Sequence, residues 1–264
     1  MTLLFYPTYT MGLMLLMVTV LLVGCESPVR RNAGLENTAD GLGGFVQRRS
    51  PADVYIELGT AYLQKGRMND ALLNARKAIL VDAEASAAHN LLGVVYQRLG
   101  QLALAHQHYL QAVELDKHNS YALNALGQFI CTEGDYSQAE AHFQQALSNP
   151  LYPTPWVAAH NAGACQERNH QLVQAEIYYR QALQDNPRFS PSLLHMAHLS
   201  FTHKRYLSAR AYLQRYSEVA QHTAESLLLG IRTEKKLDDK EQIVKYQQKL
   251  DTKFPNWAQS DTLQ

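Results

Sequence analysis

A repeat with a period of 34 residues constrains the fold of this chain more than any other feature of its sequence. Four glycines mark it, at intervals of 34, 34 and 36 residues: Gly59, Gly93, Gly127 and Gly163. An alanine recurs twelve residues after each glycine, at Ala71, Ala105, Ala139 and Ala175. Small residues at such offsets let two antiparallel helices approach closely, and larger ones fill the gaps between them. The pattern predicts a stack of helical hairpins.

The period and the residue pattern are those of the tetratricopeptide repeat. We therefore predict an all-α fold, a right-handed superhelix of about six tetratricopeptide (TPR) hairpins over residues 51–260. The predicted units lie near residues 52–85, 86–119, 120–153, 156–189, 190–222 and 223–255. Glycines where the first helix of a hairpin ends predict a left-handed backbone there, at Gly66, Gly100 and Gly134. The prolines from Pro150 to Pro155 predict a rigid extended corner between the third and fourth units.

A superhelix of this kind is expected to have a concave face, lined mainly by the first helix of each hairpin, on which a peptide binds. The inward positions that we predict to form a protein-binding groove are Ile56, Thr60, Leu63, Asn90, Val94, Gln97, Asn124 and Gln128. Apolar side chains on a face that sees solvent favour a partner site. The two asparagines share one motif position, from which they can hydrogen-bond a peptide backbone. The alternative is that neighbouring helices already cover the apolar side chains.

The N-terminal residues Leu22-Val23-Gly24-Cys25 match the lipobox at which bacterial lipoprotein precursors are cut and lipidated. The apolar run that precedes the cysteine fits a secretory h-region of about 7–15 residues and is shorter than the roughly 20 residues that span a membrane. We predict a signal peptide over residues 1–24 and lipidation of Cys25, with several acyl chains forming a stable anchor. The alternative is an ordinary buried or membrane segment with an unrelated cysteine.

The residue after Cys25 and the segment that follows it indicate where the folded part resides. In the general sorting rule for bacterial lipoproteins, an Asp directly after the lipidated cysteine retains the protein in the inner membrane. This chain has Glu26 at that position. The resemblance to the rule therefore implies an anchor on the periplasmic face of the outer membrane of a Gram-negative bacterium. Residues 25–50 contain glycines and a proline with little apolar periodicity, which predicts a lipidated flexible tether with a reach of about 25–30 Å as a coil.

Two further cysteines, Cys131 and Cys165, lie on equivalent first helices of consecutive units. If Cys25 carries lipid, these two are the cysteines that remain, and an even number of cysteines in the oxidising periplasm is consistent with disulfide pairing. Neighbouring first helices pack side by side, so one disulfide between them is the favoured prediction. Two buried thiols are the alternative.

Motifs for catalysis or for cofactor binding are not found in the sequence. His195 and His198 lie one turn apart with His203 nearby, and His106 and His108 form a second pair, but neither set has further ligands at matching spacing. We predict no catalytic residues, no metal and no cofactor. A formal net charge of zero argues against a nucleic-acid surface, and no small-molecule substrate is expected.

A lipobox followed by five or six such repeats resembles the type IV pilus biogenesis and stability lipoproteins, the pilotin family called PilW or PilF. The likeness covers nearly the whole mature chain. The segments that carry it are Val54-Tyr55-Ile56-Glu57-Leu58-Gly59, Ala122-Leu123-Asn124-Ala125-Leu126-Gly127, Asn149-Pro150-Leu151-Tyr152, Asn161-Ala162-Gly163 with Cys165, and Ala209-Arg210 with Tyr212-Leu213 and Arg215-Tyr216.

The resemblance implies an outer-membrane adaptor that binds the type IV pilus secretin and promotes its localisation and assembly into a multimeric ring. The alternative is another periplasmic TPR lipoprotein, a scaffold for cell-wall enzymes or proteases, which shares the anchor and the fold. A metal-dependent enzyme that uses the histidines is a third hypothesis from a different class, and stoichiometric zinc in the purified protein is its test.

Overall fold

The computed structural model of the chain describes residues 50–257, and these residues form six consecutive helical hairpins. The predicted signal peptide, Cys25 and the predicted tether up to residue 49 lie outside the described residues, as do residues 258–260 of the predicted array. The helices, in order, are α1 Pro51–Gln64, α2 Met68–Val81, α3 Ser86–Arg98, α4 Leu102–Leu115, α5 Ser120–Glu133, α6 Tyr136–Leu147, α7 Pro155–Arg168, α8 Leu172–Asp185, α9 Ser190–Thr202, α10 Tyr206–Val219, α11 Ala224–Leu237 and α12 Lys240–Lys253.

The repeated glycines allow helices to pack closely, because a larger residue would not fit. A Cβ atom at Gly93 in α3 would lie 2.5 Å from the ring of Tyr109 in α4, and one at Gly163 in α7 would lie 2.8 Å from the ring of Tyr179 in α8. Real Cβ atoms do not approach other atoms so closely, and such overpacking typically costs about 1–3 kcal/mol. The first helix therefore packs directly on an aromatic ring of the second.

The turn within each of the first three hairpins begins with a left-handed glycine, as the sequence predicts. The φ angles of Gly66, Gly100 and Gly134 are 72°, 73° and 92°. Only glycine adopts this conformation without a steric penalty. The first helix therefore ends there, and the chain turns back to begin the second helix.

The segment between α6 and α7, residues 148–154, is a turn and not the extended corner that its prolines predict. The Tyr152 amide donates to the carbonyl oxygen of Asn149 at 3.1 Å, which closes the chain on itself. Tyr152 is buried in a small cluster with Leu123, Ala146 and Ala158. Burial of this ring draws the chain inward, and Pro155 is the first residue of α7, a position that tolerates proline.

The core follows the stack from hairpin to hairpin. The main cluster of buried side chains runs from Leu63 in α1 to Tyr178 in α8, a second joins α8, α9 and α10, and a third joins α11 and α12. Each hairpin thus buries its remaining apolar face on the next one. The fold is the all-α TPR superhelix that the sequence predicts. Within residues 50–257, no helix combines the length and apolar character needed to cross a membrane.

Candidate functional site

A cavity of about 370 Å³ opens on the face that the first helices α3, α5 and α7 share. We call this face the groove. The side chains that line the cavity are Val94, Gln97, Arg98, Tyr109, Ala125, Gln128, Cys131, Thr132, Asn161, Ala164, Cys165 and Arg168. All but Tyr109 come from the three first helices, because successive first helices lie next to one another in the stack. A volume near 300–1,000 Å³ is typical of ligand pockets.

Three residues of the predicted groove line this cavity: Val94, Gln97 and Gln128. Ile56 and Thr60 on α1 are half-buried and lie outside the cavity lining, and Ile56 packs against a small cluster of buried alanines. Leu63 is 7% exposed and belongs to the main core, so the inclusion of Leu63 in an open groove is wrong. The reason is that hairpin 2 packs over the end of α1, as the alternative interpretation foresaw.

Asn90 and Asn124 occupy the same motif position but have different surroundings. The Asn124 Oδ1 atom accepts a hydrogen bond from the Asn161 side-chain amide at 3.0 Å, which joins α5 to α7. The Asn90 Oδ1 atom is buried and has no hydrogen-bond partner among the described residues. A buried polar atom without a partner is costly. Both asparagines are half-buried, and their predicted contact with a peptide backbone stays a prediction.

The structure joins Cys131 in α5 and Cys165 in α7 by a disulfide, with the two Cα atoms 5.8 Å apart. Both cysteines belong to the cavity lining. The inserted turn at residues 148–154 lies between the two cysteines in sequence, so the disulfide bridges the hairpin boundary at which the repeat is longer. It therefore fixes the spacing of two of the three helices that form the groove.

Two arginines of the cavity, Arg98 and Arg168, were missed by sequence reasoning, which followed the apolar and amide positions. Each lies five residues after a repeat glycine, Gly93 or Gly163, so aligning charged residues on the repeat would have found them. Neither guanidinium has an ion pair or hydrogen bond within residues 50–257. The cavity lining holds no carboxylate. The groove is thus locally cationic in a chain with a formal net charge of zero.

The Tyr109 hydroxyl fixes one wall of the cavity. It donates to the Oε1 atom of Gln97 at 2.6 Å, so the remaining polar group of Gln97 is its NH₂ donor. Burial raises the pKa of Tyr109, with Arg98 opposing the shift, and the hydroxyl keeps its proton at neutral pH. The Gln97 NH₂ group is therefore a donor in the same cavity lining as Arg98.

Two of the histidines that raised a metal hypothesis, His195 and His198, lie beside carboxylates from other helices. The His195 Nδ1 atom lies 2.8 Å from Glu167 Oε2, which also accepts from the Tyr179 hydroxyl, and His198 Nε2 lies 2.9 Å from Glu225 Oε1. No group of three or more metal-ligating side chains occurs in the described part of the chain. His106 stacks on Phe129, with ring centroids 5.1 Å apart.

Comparison with known proteins decides the family. Tetratricopeptide-repeat models match residues 52–84 and 86–119. The type IV pilus assembly protein PilF of Pseudomonas aeruginosa is 30% identical over 209 residues, which are 79% of this chain and 82% of PilF. The chain belongs to the PilF family of type IV pilus assembly proteins. The resemblance read from the sequence is confirmed.

Solved structures extend the likeness between this PilF-family chain and its relatives. A structure of P. aeruginosa PilF matches with a TM-score of 0.72 and 31% identity, over 77% of this chain and 92% of PilF. PilW, a widely conserved type IV pilus biogenesis factor, matches with a TM-score of 0.71 and 26% identity, over 81% of this chain and 97% of PilW. The PilF-family chain is thus a TPR protein of type IV pilus biogenesis.

Proposed function

We propose that the protein is a pilotin: an outer-membrane lipoprotein adaptor that binds the type IV pilus secretin and promotes its localisation and multimer assembly. The observation that carries the proposal is membership of the PilF family over most of the chain. The groove on α3, α5 and α7 supplies a surface of the kind on which helical-repeat proteins bind extended segments.

Three parts of the chain divide the work in this proposal. Acyl chains on Cys25 keep the protein at the periplasmic face of the outer membrane, and the tether up to residue 50 gives the array reach. The groove holds a segment of the secretin. The protein acts by binding and delivery rather than by catalysis, without a metal, a cofactor, a nucleic acid or a small-molecule substrate.

Site-specific photo-crosslinking in living cells tests the proposed use of the groove. A benzoylphenylalanine at Gln128, which is exposed on α5 and lines the cavity, is expected to crosslink to the secretin. The same probe at Leu207, which is 69% exposed on the second helix α10, is the matched control and is expected to give no secretin product. Secretin crosslinks at both positions, or at neither, contradict groove binding. Crosslinks to cell-wall enzymes or proteases instead support the scaffold alternative.

Metabolic labelling with a fatty acid tests the anchor separately. The wild-type chain is expected to incorporate labelled palmitate and to fractionate with the outer membrane, and Cys25→Ala is expected to do neither. Equal labelling of the two chains, or an inner-membrane location of the wild type, contradicts the proposed anchor.

A further inference from the structure

The arginine pair of the groove has no partner within the described part of the chain, and its surroundings restrict what can bind there. Arg98 ends α3 and Arg168 ends α7, and both line the cavity of about 370 Å³ together with Gln128 and Thr132 of α5 between them. Elsewhere in the array, arginines at hairpin contacts are matched. Arg205 pairs with Glu176 at 2.6 Å, and Arg210 pairs with Glu234 and Asp239. The groove arginines are thus available to a ligand.

The chemistry of the cavity favours a carboxylate. Guanidinium groups bind planar carboxylates through two parallel hydrogen bonds, which are stronger than bonds between neutral groups. The Gln97 amide adds a donor, because its oxygen already accepts from Tyr109. The lining holds no Asp or Glu that would compete for the arginines or repel an acid.

Apart from Asn161, the remainder of the lining is apolar and small. Val94, Ala125 and Ala164 come from three successive first helices, and the disulfide between Cys131 and Cys165 lies among them. Small side chains leave room for a peptide backbone to pass along the groove. A cavity of about 370 Å³ is large enough to hold one or a few side chains of such a peptide.

We propose that Arg98 and Arg168 form a recognition site for an Asp or Glu side chain within an extended peptide, with the neighbouring apolar residues of that peptide contacting Val94, Ala125 and Ala164. The proposal rests on the proposed function only in naming a peptide as the occupant of the groove. It adds the chemistry by which the segment is chosen, and it makes the acidic residue the anchor of the bound segment.

Selection from a random dodecapeptide phage library on the purified full-length protein tests the site without knowledge of the natural partner. Peptides bound by the wild type are expected to share an Asp or Glu flanked by apolar residues. In fluorescence anisotropy, replacing that acid by its amide is expected to weaken binding about tenfold, which corresponds to about 1.4 kcal/mol.

A double-mutant cycle tests whether the acidic side chain of the peptide interacts with the two arginines. Arg98→Gln together with Arg168→Gln is expected to weaken binding of the acidic peptide at least tenfold and to leave binding of the amide peptide unchanged, because the two changes remove the same interaction. Arg188→Gln together with Arg232→Gln removes the same charge from exposed positions outside the cavity lining and is expected to bind like the wild type. Circular dichroism of each variant shows that it is folded.

Three outcomes overturn the acidic-peptide site: selected peptides without a shared acid, no selected peptide at all, or equal binding of the acidic peptide to the wild type and the groove variant. The proposed function is read separately, from capture of the intact secretin of the same organism. Acid-dependent peptide binding without secretin capture leaves the site standing and removes the secretin as its partner. If the wild type and the groove variant capture the secretin equally, the acidic-peptide site is contradicted and the pilotin function is supported.

Discussion

At the scale of single residues, one backbone position distinguishes the first three hairpins from the last three. Glycine fills the left-handed position in hairpins 1 to 3, whereas His170, Lys204 and Asp238 fill it in hairpins 4 to 6 with φ angles of 58°, 58° and 55°. A residue with a Cβ atom pays roughly 1–2 kcal/mol in this conformation. The later hairpins therefore carry a penalty that the earlier ones avoid.

Replacing one of these residues by glycine is expected to stabilise the array. Lys204→Gly should raise the free energy of unfolding by about 1 kcal/mol, since relief of the left-handed penalty exceeds the added flexibility of the unfolded chain. Urea unfolding followed by circular dichroism measures the change. Lys204→Ala is the control, because alanine keeps the Cβ atom, and it should give no gain. Equal gains for the two variants would show that loss of the lysine side chain, and not the backbone, is responsible.

At the scale of elements, the disulfide ties α5 to α7 across the turn at residues 148–154. The joined cysteines are 34 residues apart in sequence. A crosslink over a loop of this length restricts the unfolded chain and stabilises the fold by roughly 3–4 kcal/mol in the chain-entropy model. The bond also borders the groove cavity, so its loss affects both stability and the spacing of the groove helices.

Replacement of both cysteines by alanine tests this contribution. Cys131→Ala together with Cys165→Ala should lower the free energy of unfolding by roughly 3–4 kcal/mol, and the reductant dithiothreitol should bring the wild type down by a similar amount. Alanine is chosen because both sites are buried and a serine hydroxyl would lack a partner. Unfolding of the oxidised wild type and the variant at the same urea concentration would contradict the prediction.

A cluster of titratable groups joins hairpins 4 and 5, and it makes stability depend on pH. Burial, with the neighbouring His195 adding to it and Glu167 opposing it, lowers the pKa of His160 to about 4. The unfolded chain has an imidazole pKa of about 6.5, so between these pH values it binds a proton that the folded chain does not. The free energy of unfolding therefore falls as the pH drops from about 6.5 towards 4.

The substitution His160→Asn tests this pH dependence, because asparagine fills the same motif position in hairpins 2 and 3. His160 alone is expected to cost about 1 kcal/mol of stability on going from pH 7.5 to pH 5.5. Between the same two pH values, the free energy of unfolding of the variant should fall by about 1 kcal/mol less than that of the wild type, as measured by urea unfolding. His118→Asn, which removes an exposed imidazole, is the control. If the free energy of unfolding falls as much in His160→Asn as in the wild type between the two pH values, the assignment of this pH dependence to His160 is contradicted.

At the scale of the whole molecule, the sequence predicts the architecture well, because the repeat is a local pattern. The glycines and alanines specify where two helices touch, and stacking of identical units then determines the superhelix. The polar contacts between units are a different matter. Glu167 and His195 are 28 residues apart and Asn124 and Asn161 are 37 apart, so no short motif contains either pair. The burial of Leu63 likewise depends on how the next hairpin packs over it.

The same distinction applies to the groove. Its helices are predictable from the repeat, and its residues Val94, Gln97 and Gln128 follow from the inward motif positions. Arg98 and Arg168 contribute to the site only because the second and fourth hairpins, with the third between them, bring their first helices to the same cavity. Charge at a repeated offset is the sequence signal that indicates such a pair.

A gel of unboiled outer membranes, probed for the pilus secretin as ring or monomer, tests whether the protein is a pilotin. Cells without this gene are expected to lose the ring, or to retain it in the inner membrane, while the monomer persists. The wild-type gene is expected to restore the ring in the outer membrane, and Cys25→Ala is expected to restore it poorly. Unchanged secretin rings in the outer membrane of cells without the gene would contradict the account.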